Sequence, residues 1–310
     1  MERFDGLLPI YKDSGPTSHD VIYRLRSILN RQKIGHTGTL DPLASGLLPI
    51  TLGRATKLTQ FFTDWDKSYQ AEITLGARSD TFDSEGHISD NREIPELSKD
   101  DIKGYLSAFI GKIIQKVPSF SAVKVKGKEL YKYARRGIKV ETPNREIEIH
   151  SIDLLSYDRH KLTIRVDCGK GTYIRVLAND LGNNIGCGAY LSGLKRLRAG
   201  SLEIDSALTL ESVSELYNNG KLAKHIIPMR DVIEFPILSV SLEAEKSIKH
   251  GGVPERKEIL NWNREFLPGN LVAMASQNGN ILAIGKSKCS AASLKSNLDN
   301  DYFSFVRVLI

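Results

Sequence analysis

Period-two alternation of apolar and polar residues constrains this chain more than any other feature. Tyr69, Ala71, Ile73 and Leu75 alternate with polar residues, and so do Leu162, Ile164, Val166 and Cys168. Successive side chains of a strand point to opposite faces, so each run reads as a strand with one buried face. Ile147 and Ile149 mark a further strand. Helical spacing fills the intervals. Val21, Ile22, Leu25, Ile28 and Leu29 predict a helix with Ser18 as N-cap and Asp20 in its first turn. Ser98 opens a helix bearing Ile102, Tyr105, Leu106, Phe109 and Ile110, which Gly111 stops. Thr172 caps one bearing Ile174, Leu177, Ala178 and Leu181, and Thr209 one bearing Val213, Leu216 and Tyr217. Strands with inserted helices fit an α+β class without singling it out.

After Phe235-Pro236 the character changes. Turn signals at His250-Gly251-Gly252, Pro268-Gly269-Asn270 and Asn278-Gly279 separate short apolar stretches. Leu271–Met274 and Ile281–Ile284 flank the Asn-Gly pair as a hairpin, and Phe303 to Ile310 reads as a final strand. With 310 residues, two domains are expected: 1–235, with an insertion around 80–150, and a β-rich 236–310.

Several chemistries find no support. No apolar run has the length of a membrane span, and the acid-bearing start Met1-Glu2-Arg3-Phe4-Asp5 lacks a secretory pattern, so a cytoplasmic protein is expected. Cys168, Cys187 and Cys289 are odd in number and lack metal-ligand spacing; they read as buried thiols. Phosphate-loop, dinucleotide, hydrolase-elbow and zinc-deaminase motifs are missing. Asp80, Asp83 and Glu85 read as a surface turn. Neither a metal nor an organic cofactor is expected.

Charge points to a polyanion. The formal net charge is +6, and its distribution is uneven. Between Lys112 and Arg145 ten bases face two acids, with Phe120, Tyr131 and Tyr133 interleaved. Lys195, Arg196 and Arg198 form a second cluster. Bases for phosphates and aromatics for stacking suit RNA, although a solvated charged face has the same composition. Near the N-terminus, the stretch Gly35 to Gly46 reads as a loop of small residues around one carboxylate, Asp41, which precedes Pro42 and is therefore kept from helical geometry.

This loop, Gly35-His36-Thr37-Gly38-Thr39-Leu40-Asp41-Pro42-Leu43-Ala44-Ser45-Gly46, resembles the signature of the TruB family of tRNA pseudouridine-55 synthases. Further blocks follow in the family's order: Lys12…Gly15-Pro16-Thr17-Ser18, Leu52 to Lys57, Asp66-Lys67-Ser68-Tyr69, Asp80 to Gly86, Ser121 to Gly137, Gly169 to Arg175, and Gly186 to Arg198. Asp13 departs from the family's usual proline, and Val117 and Phe120 stand where Pro and Tyr are usual. The tail is similar to a PUA domain, an RNA-binding module.

The resemblance implies a pseudouridine synthase fold: a mixed, mostly antiparallel sheet flanked by helices, with the active site in a central cleft. It implies isomerisation of uridine 55 in the T loop of tRNA by a base-flipping enzyme, a stand-alone monomer that needs no protein partner. Asp41 is the implied catalytic carboxylate, Arg175 its cation and Tyr69 the aromatic stacked on uracil. His36 would prop the vacated space; Tyr173, Leu194 and Lys12 would contact the substrate. Lys124, Lys126, Lys128, Lys132, Arg135, Arg136 and Arg198 would hold the RNA backbone. Attack at C6, attack at C1′ and abstraction of a sugar proton all remain open to Asp41. Rival readings are a non-catalytic RNA-binding protein or tRNA-folding chaperone, a synthase that acts on a different RNA or is guided by a partner ribonucleoprotein, and a nucleoside hydrolase.

Overall fold

The computed structural model describes residues 4–89, 92–296 and 302–309. Residues 1–3 of the N-terminal stretch and Ile310 of the expected last strand lie outside the described residues. The chain runs β1 (Gly6–Lys12), α1 (Ser18–Ile28), β2 (Ile34–His36), β3 (Ala44–Leu52), α2 (Thr59–Phe62), β4 (Lys67–Leu75), β5 (Arg78–Ser79), β6 (Ile88–Ser89), α3 (Lys99–Ser107), β7 (Gly111–Lys116), β8 (Lys124–Val125), β9 (Lys128–Glu129) and α4 (Leu130–Ala134). It continues with β10 (Asn144–Tyr157), β11 (Lys161–Cys168), α5 (Ile174–Ile185), β12 (Ala189–Ala199), β13 (Leu202–Glu203), α6 (Leu210–Asn218) and α7 (Met229–Val232). The C-terminal part holds β14 (Ile237–Val240), α8 (Leu242–Lys249), β15 (Ile259–Trp262), β16 (Leu271–Ala275), β17 (Ile281–Ser287), α9 (Ala291–Ser296) and β18 (Phe303–Val308).

The two alternating runs become β4 and β11, paired antiparallel in the middle of a nine-stranded sheet. Its main path is β1-β3-β12-β4-β11-β10-β7, with β2 beside β3 and β13 beside β12. The β3–β12 pair is parallel and the other pairs are antiparallel, so the fold is the mixed α+β sheet expected. Ile73, Ile164 and Val166 turn one face toward Leu177 and Leu181 of α5 and Ile102 of α3. Each such side chain contributes about 1.5–3 kcal/mol on full burial. On β1 and β3, Leu8, Ile10, Leu48 and Ile50 pack under α1 and α6, while Leu7 and Leu47 face the other way.

The C-terminal strands form a separate five-stranded sheet, β15-β14-β16-β17-β18, with the expected hairpin at Asn278-Gly279. Ala273, Ile281 and Ile284 of this sheet share a core with Leu7, Leu47, Phe62 and Trp65. No helix among the described residues is long and apolar enough to cross a membrane.

Local expectations shift at helix ends. Thr17, not Ser18, caps α1, in a capping box with Asp20. Both residues can cap, and the position one residue earlier frees Ser18 for another bond. Helix α3 ends at Ser107; Gly111, at φ +101°, opens β7 instead of stopping the helix. Thr172 does not cap α5: its hydroxyl donates to Gly169 C=O at 3.0 Å, and Tyr173 takes the N-cap position. The glycine-rich stretch is loop only in its middle, since β2 and β3 claim its ends. Cys168 and Cys187 are buried, Cys289 is partly buried, and all three are free thiols.

Candidate active site

Asp41 sits where the loop between β2 and β3 turns back into the sheet, and its neighbours are gripped from both sides. Ser18 Oγ donates to Leu40 C=O at 3.0 Å and accepts Leu40 N–H at 2.9 Å. Lys12 Nζ donates to the carbonyls of Pro42 (3.3 Å), Ala44 (2.6 Å) and Asp13 (2.9 Å). Gly15 N–H adds a 2.8 Å bond to Pro42 C=O. Further out, Arg196 donates to Gly38 C=O (3.1 Å) and to Leu47 C=O (2.6 Å), bracketing the loop. After the loop, Gly46 lies at φ +101° against β12, where a Cβ would stand 2.4 Å from Arg196 C=O. Only glycine fits there. The pairing sets Ala44 beside Leu194, which also opposes Ala71 of β4.

Arg175, in the first turn of α5, is 6% exposed, and its Nη1 lies 3.6 Å from Asp41 Oδ2. That distance is long for a hydrogen bond, so the two are joined by charge and the carboxylate oxygens stay available. The shorter contacts of the guanidinium go elsewhere: to Asp83 Oδ2 at 3.2 Å and to Phe120 C=O at 2.6 Å. Asp83 is itself fixed by Thr81 Oγ1 at 2.6 Å and Glu85 N–H at 3.1 Å. The Asp41 side chain is 40% exposed, yet surrounding protein makes burial the largest influence on it and raises its pKa from the ordinary 3.8. Arg175 opposes that rise, Asp83 adds to it, and Lys12 opposes it.

Two tyrosines lie by this pair, and a histidine stands at the start of the loop. Tyr69 on β4 lies opposite Arg196 of β12, and burial raises its phenol pKa, with Arg196 opposing. Tyr173 lies under the Arg175 guanidinium, 5.8 Å from ring centroid to Cζ. His36 ends β2 in edge contact with His19, with ring centroids 6.1 Å apart. Burial first, then His19 and Arg196, push its pKa down to about 4, and its Nδ1 is buried without a hydrogen-bond partner. The ring is therefore neutral near pH 7, a state suited to stacking.

The basic segment forms a small outlying unit. Strands β8 and β9 make a hairpin whose turn residues, Lys126 (φ 50°) and Gly127 (φ 80°), are both left-handed, as a two-residue hairpin turn demands. Lys124, Lys126, Lys128, Lys132, Arg135 and Arg136 are all exposed. Lys132 pairs with Glu129 at 2.8 Å, and Lys132 and Arg135 flank the Tyr131 ring.

Two expectations, on Lys12 and Asp83, require correction. Lys12 was expected to touch substrate, but it is 1% exposed and its ammonium is committed to three carbonyls of the loop. Burial lowers its pKa to about 8. Arg198, expected at the RNA backbone, is partly exposed on β12 and pairs with Asp167 at 2.8 Å. Asp83 was read as part of a surface turn and is instead a buried partner of Arg175. Ser18 and Arg196 were also missed as supports of the loop. Asp83 and Ser18 each stand in a block quoted for the family resemblance, the one signal that marked them; Arg196 was counted in a cluster of bases suited to RNA phosphates.

The sequence profile for the N-terminal domain of TruB family pseudouridylate synthases matches residues 26–174, and that for the C-terminal domain of tRNA pseudouridylate synthase B matches 175–234. A protein of Syntrophus aciditrophicus named tRNA pseudouridine synthase B is 38% identical over 284 residues, covering 91% of each chain. One of the same name from Francisella philomiragia is 44% identical, covering 88% of this chain and 91% of its own. Among solved structures, a chain of a Cbf5-Nop10-Gar1 complex superposes with a TM-score of 0.79 at 27% identity, covering 98% of this chain and 85% of that one.

Proposed function

Because this chain belongs to the TruB family of pseudouridylate synthases, we propose that it isomerises uridine 55 in the T loop of tRNA to pseudouridine, with Asp41 as the catalytic carboxylate. One observation carries the reading: an accessible carboxylate held by its main chain on both sides, 3.6 Å from a buried arginine that leaves its oxygens available. A protein that only binds RNA has no use for that arrangement.

The reaction breaks the N1–C1′ bond, turns the uracil and joins C5 to C1′, after which the C5 proton leaves. Bond broken and bond made nearly balance, so the requirement is one ionised carboxylate against an extruded nucleotide. Extrusion costs a few kcal/mol of unstacking. Neutral His36 props the vacated place, Tyr69 stacks on the uracil, and Tyr173 and Leu194 line its surroundings. Arg175 keeps Asp41 ionised against the burial that opposes its charge. The tyrosine usual at position 120 is phenylalanine here, and the contact to Arg175 uses the carbonyl, which the exchange leaves intact.

The basic segment 124–136, the hairpin followed by α4, grips the phosphates of the T-arm stem-loop, by shape more than by sequence. Residues 236–310 form a PUA-like domain that touches the acceptor end. The enzyme works alone, as a monomer, in the cytoplasm.

The test is nucleoside analysis after incubation with an unmodified T-arm stem-loop. One uridine replaced by pseudouridine supports the reading. Release of free uracil would identify a hydrolase, and tight binding with unchanged nucleosides a binding protein, a chaperone or a guided synthase without its guide.

A further inference from the structure

Helix α5 begins without a cap of its own. Its N-cap, Tyr173, supplies no side-chain hydrogen bond to the first turn. Helix starts need partners for their main-chain groups, and this start is two residues from the arginine beside Asp41.

The partner comes from the edge strand of the sheet. Gln115 on β7 is 2% exposed. Its Oε1 accepts the Tyr173 N–H at 2.8 Å, and its Nε2 donates to the Tyr173 C=O at 3.1 Å. One side-chain amide thus answers both main-chain groups of one residue, as a neighbouring strand would. The same Tyr173 carbonyl accepts N–H bonds from Val176 (3.1 Å) and Leu177 (3.2 Å), so Gln115 grips the point where the helical ladder begins. Further along the segment, Phe120 C=O accepts the Arg175 Nη2 bond at 2.6 Å. One segment, β7 and the stretch that leads from it toward the basic hairpin, therefore holds both the start of α5 and the guanidinium, which Asp83 Oδ2 also contacts at 3.2 Å.

We propose that Gln115 is a positioning residue for Arg175: by fixing the first turn of α5 it sets the distance between the guanidinium and Asp41. The inference rests on the roles given above to Asp41 and Arg175. Without the amide, two main-chain groups lose a buried partner and the first turn is free to move. Arg175 is the foremost group opposing the burial of the Asp41 charge, so loosening it moves the Asp41 titration upward.

The experiment compares wild type with Gln115→Met and with Gln115→Asn, which keeps an amide one methylene short. Ile114→Thr, at a neighbouring position that is 65% exposed, is the control. Asp41 is titrated by carbon-13 NMR in free, aspartate-labelled protein, its resonance assigned with Asp41→Asn. Turnover of the stem-loop is then followed against pH. The expected result is an Asp41 titration moved up by roughly half a pH unit or more in the folded Gln115 variants, with the acid limb of kcat moved alongside. Near pH 7, kcat falls roughly tenfold or more while KM stays within about twofold. Should Gln115→Met fail to fold, Gln115→Asn is read in the same way. An Asp41 titration unchanged in a folded Gln115 variant overturns the proposal. The titration needs no substrate, so an inactive wild type would count against the function and leave this result standing.

Discussion

Burial and pairing pull Asp41 in opposite directions, and burial prevails. A carboxyl whose pKa rises on folding favours the folded state while protonated. That contribution is lost as pH rises through the ordinary value of 3.8 and then the raised one. Above both, the fold carries the cost of a charge that its surroundings disfavour. Asp41→Asn should therefore melt higher than wild type near pH 7, with the margin shrinking as pH falls to about 4. Melting curves across that range check it; a variant that melts lower at neutral pH would mean that Arg175 pairing outweighs burial. Single residues were legible in unequal measure. Asp41 stood out because glycines and a proline surround it. Asp83 and Arg196 did not, because the groups that bury them lie far away in sequence: Asp83 meets Arg175 across 92 positions, and Arg196 meets Gly38 across 158. Charge alone predicts exposure, and only the fold reverses it.

At the scale of elements, periodicity was a reliable guide. The alternation through Tyr69 and Leu162 predicted β4 and β11, because a half-buried strand leaves a local pattern. Helix ends were less legible where two capping residues adjoin, as at Thr17 and Ser18, or where a distant side chain does the capping, as Gln115 does for Tyr173. The hairpin 124–129, proposed above to grip RNA, owes its shape to local sequence, since its two turn residues are left-handed and its lysines face solvent. Replacing Lys124, Lys126 and Lys128 with alanine should weaken stem-loop binding and flatten its salt dependence. The log–log slope should fall by about 2 to 3, with little change in kcat at saturating RNA. Titrations at several salt concentrations decide this; an unchanged slope would place the RNA on another face.

In the whole molecule, the two sheets share a core in which Ala273, Ile281, Ile284 and Leu309 meet Leu7, Phe62 and Trp65. Lys57 adds bonds of 3.2 Å to the carbonyls of Val308 and Leu309. The turn signals after Phe235 announced a second β-rich unit, but no local pattern reveals that its face completes the core of the first. Removing residues 236–310 should lower the melting temperature of the remainder by at least about 5 °C, because it uncovers this apolar cluster. An unchanged melting temperature would show two separable bodies. The central claim concerns the reaction, and one measurement tests it most directly. Purified protein is incubated with a T-arm stem-loop carrying tritium at C5 of its uridines, and tritium release is followed beside an Asp41→Asn control. The account predicts release from one uridine by wild type and a loss of roughly a thousandfold or more in the variant, with RNA binding retained. Tight binding by wild type without release, or equal release by the variant, would contradict it.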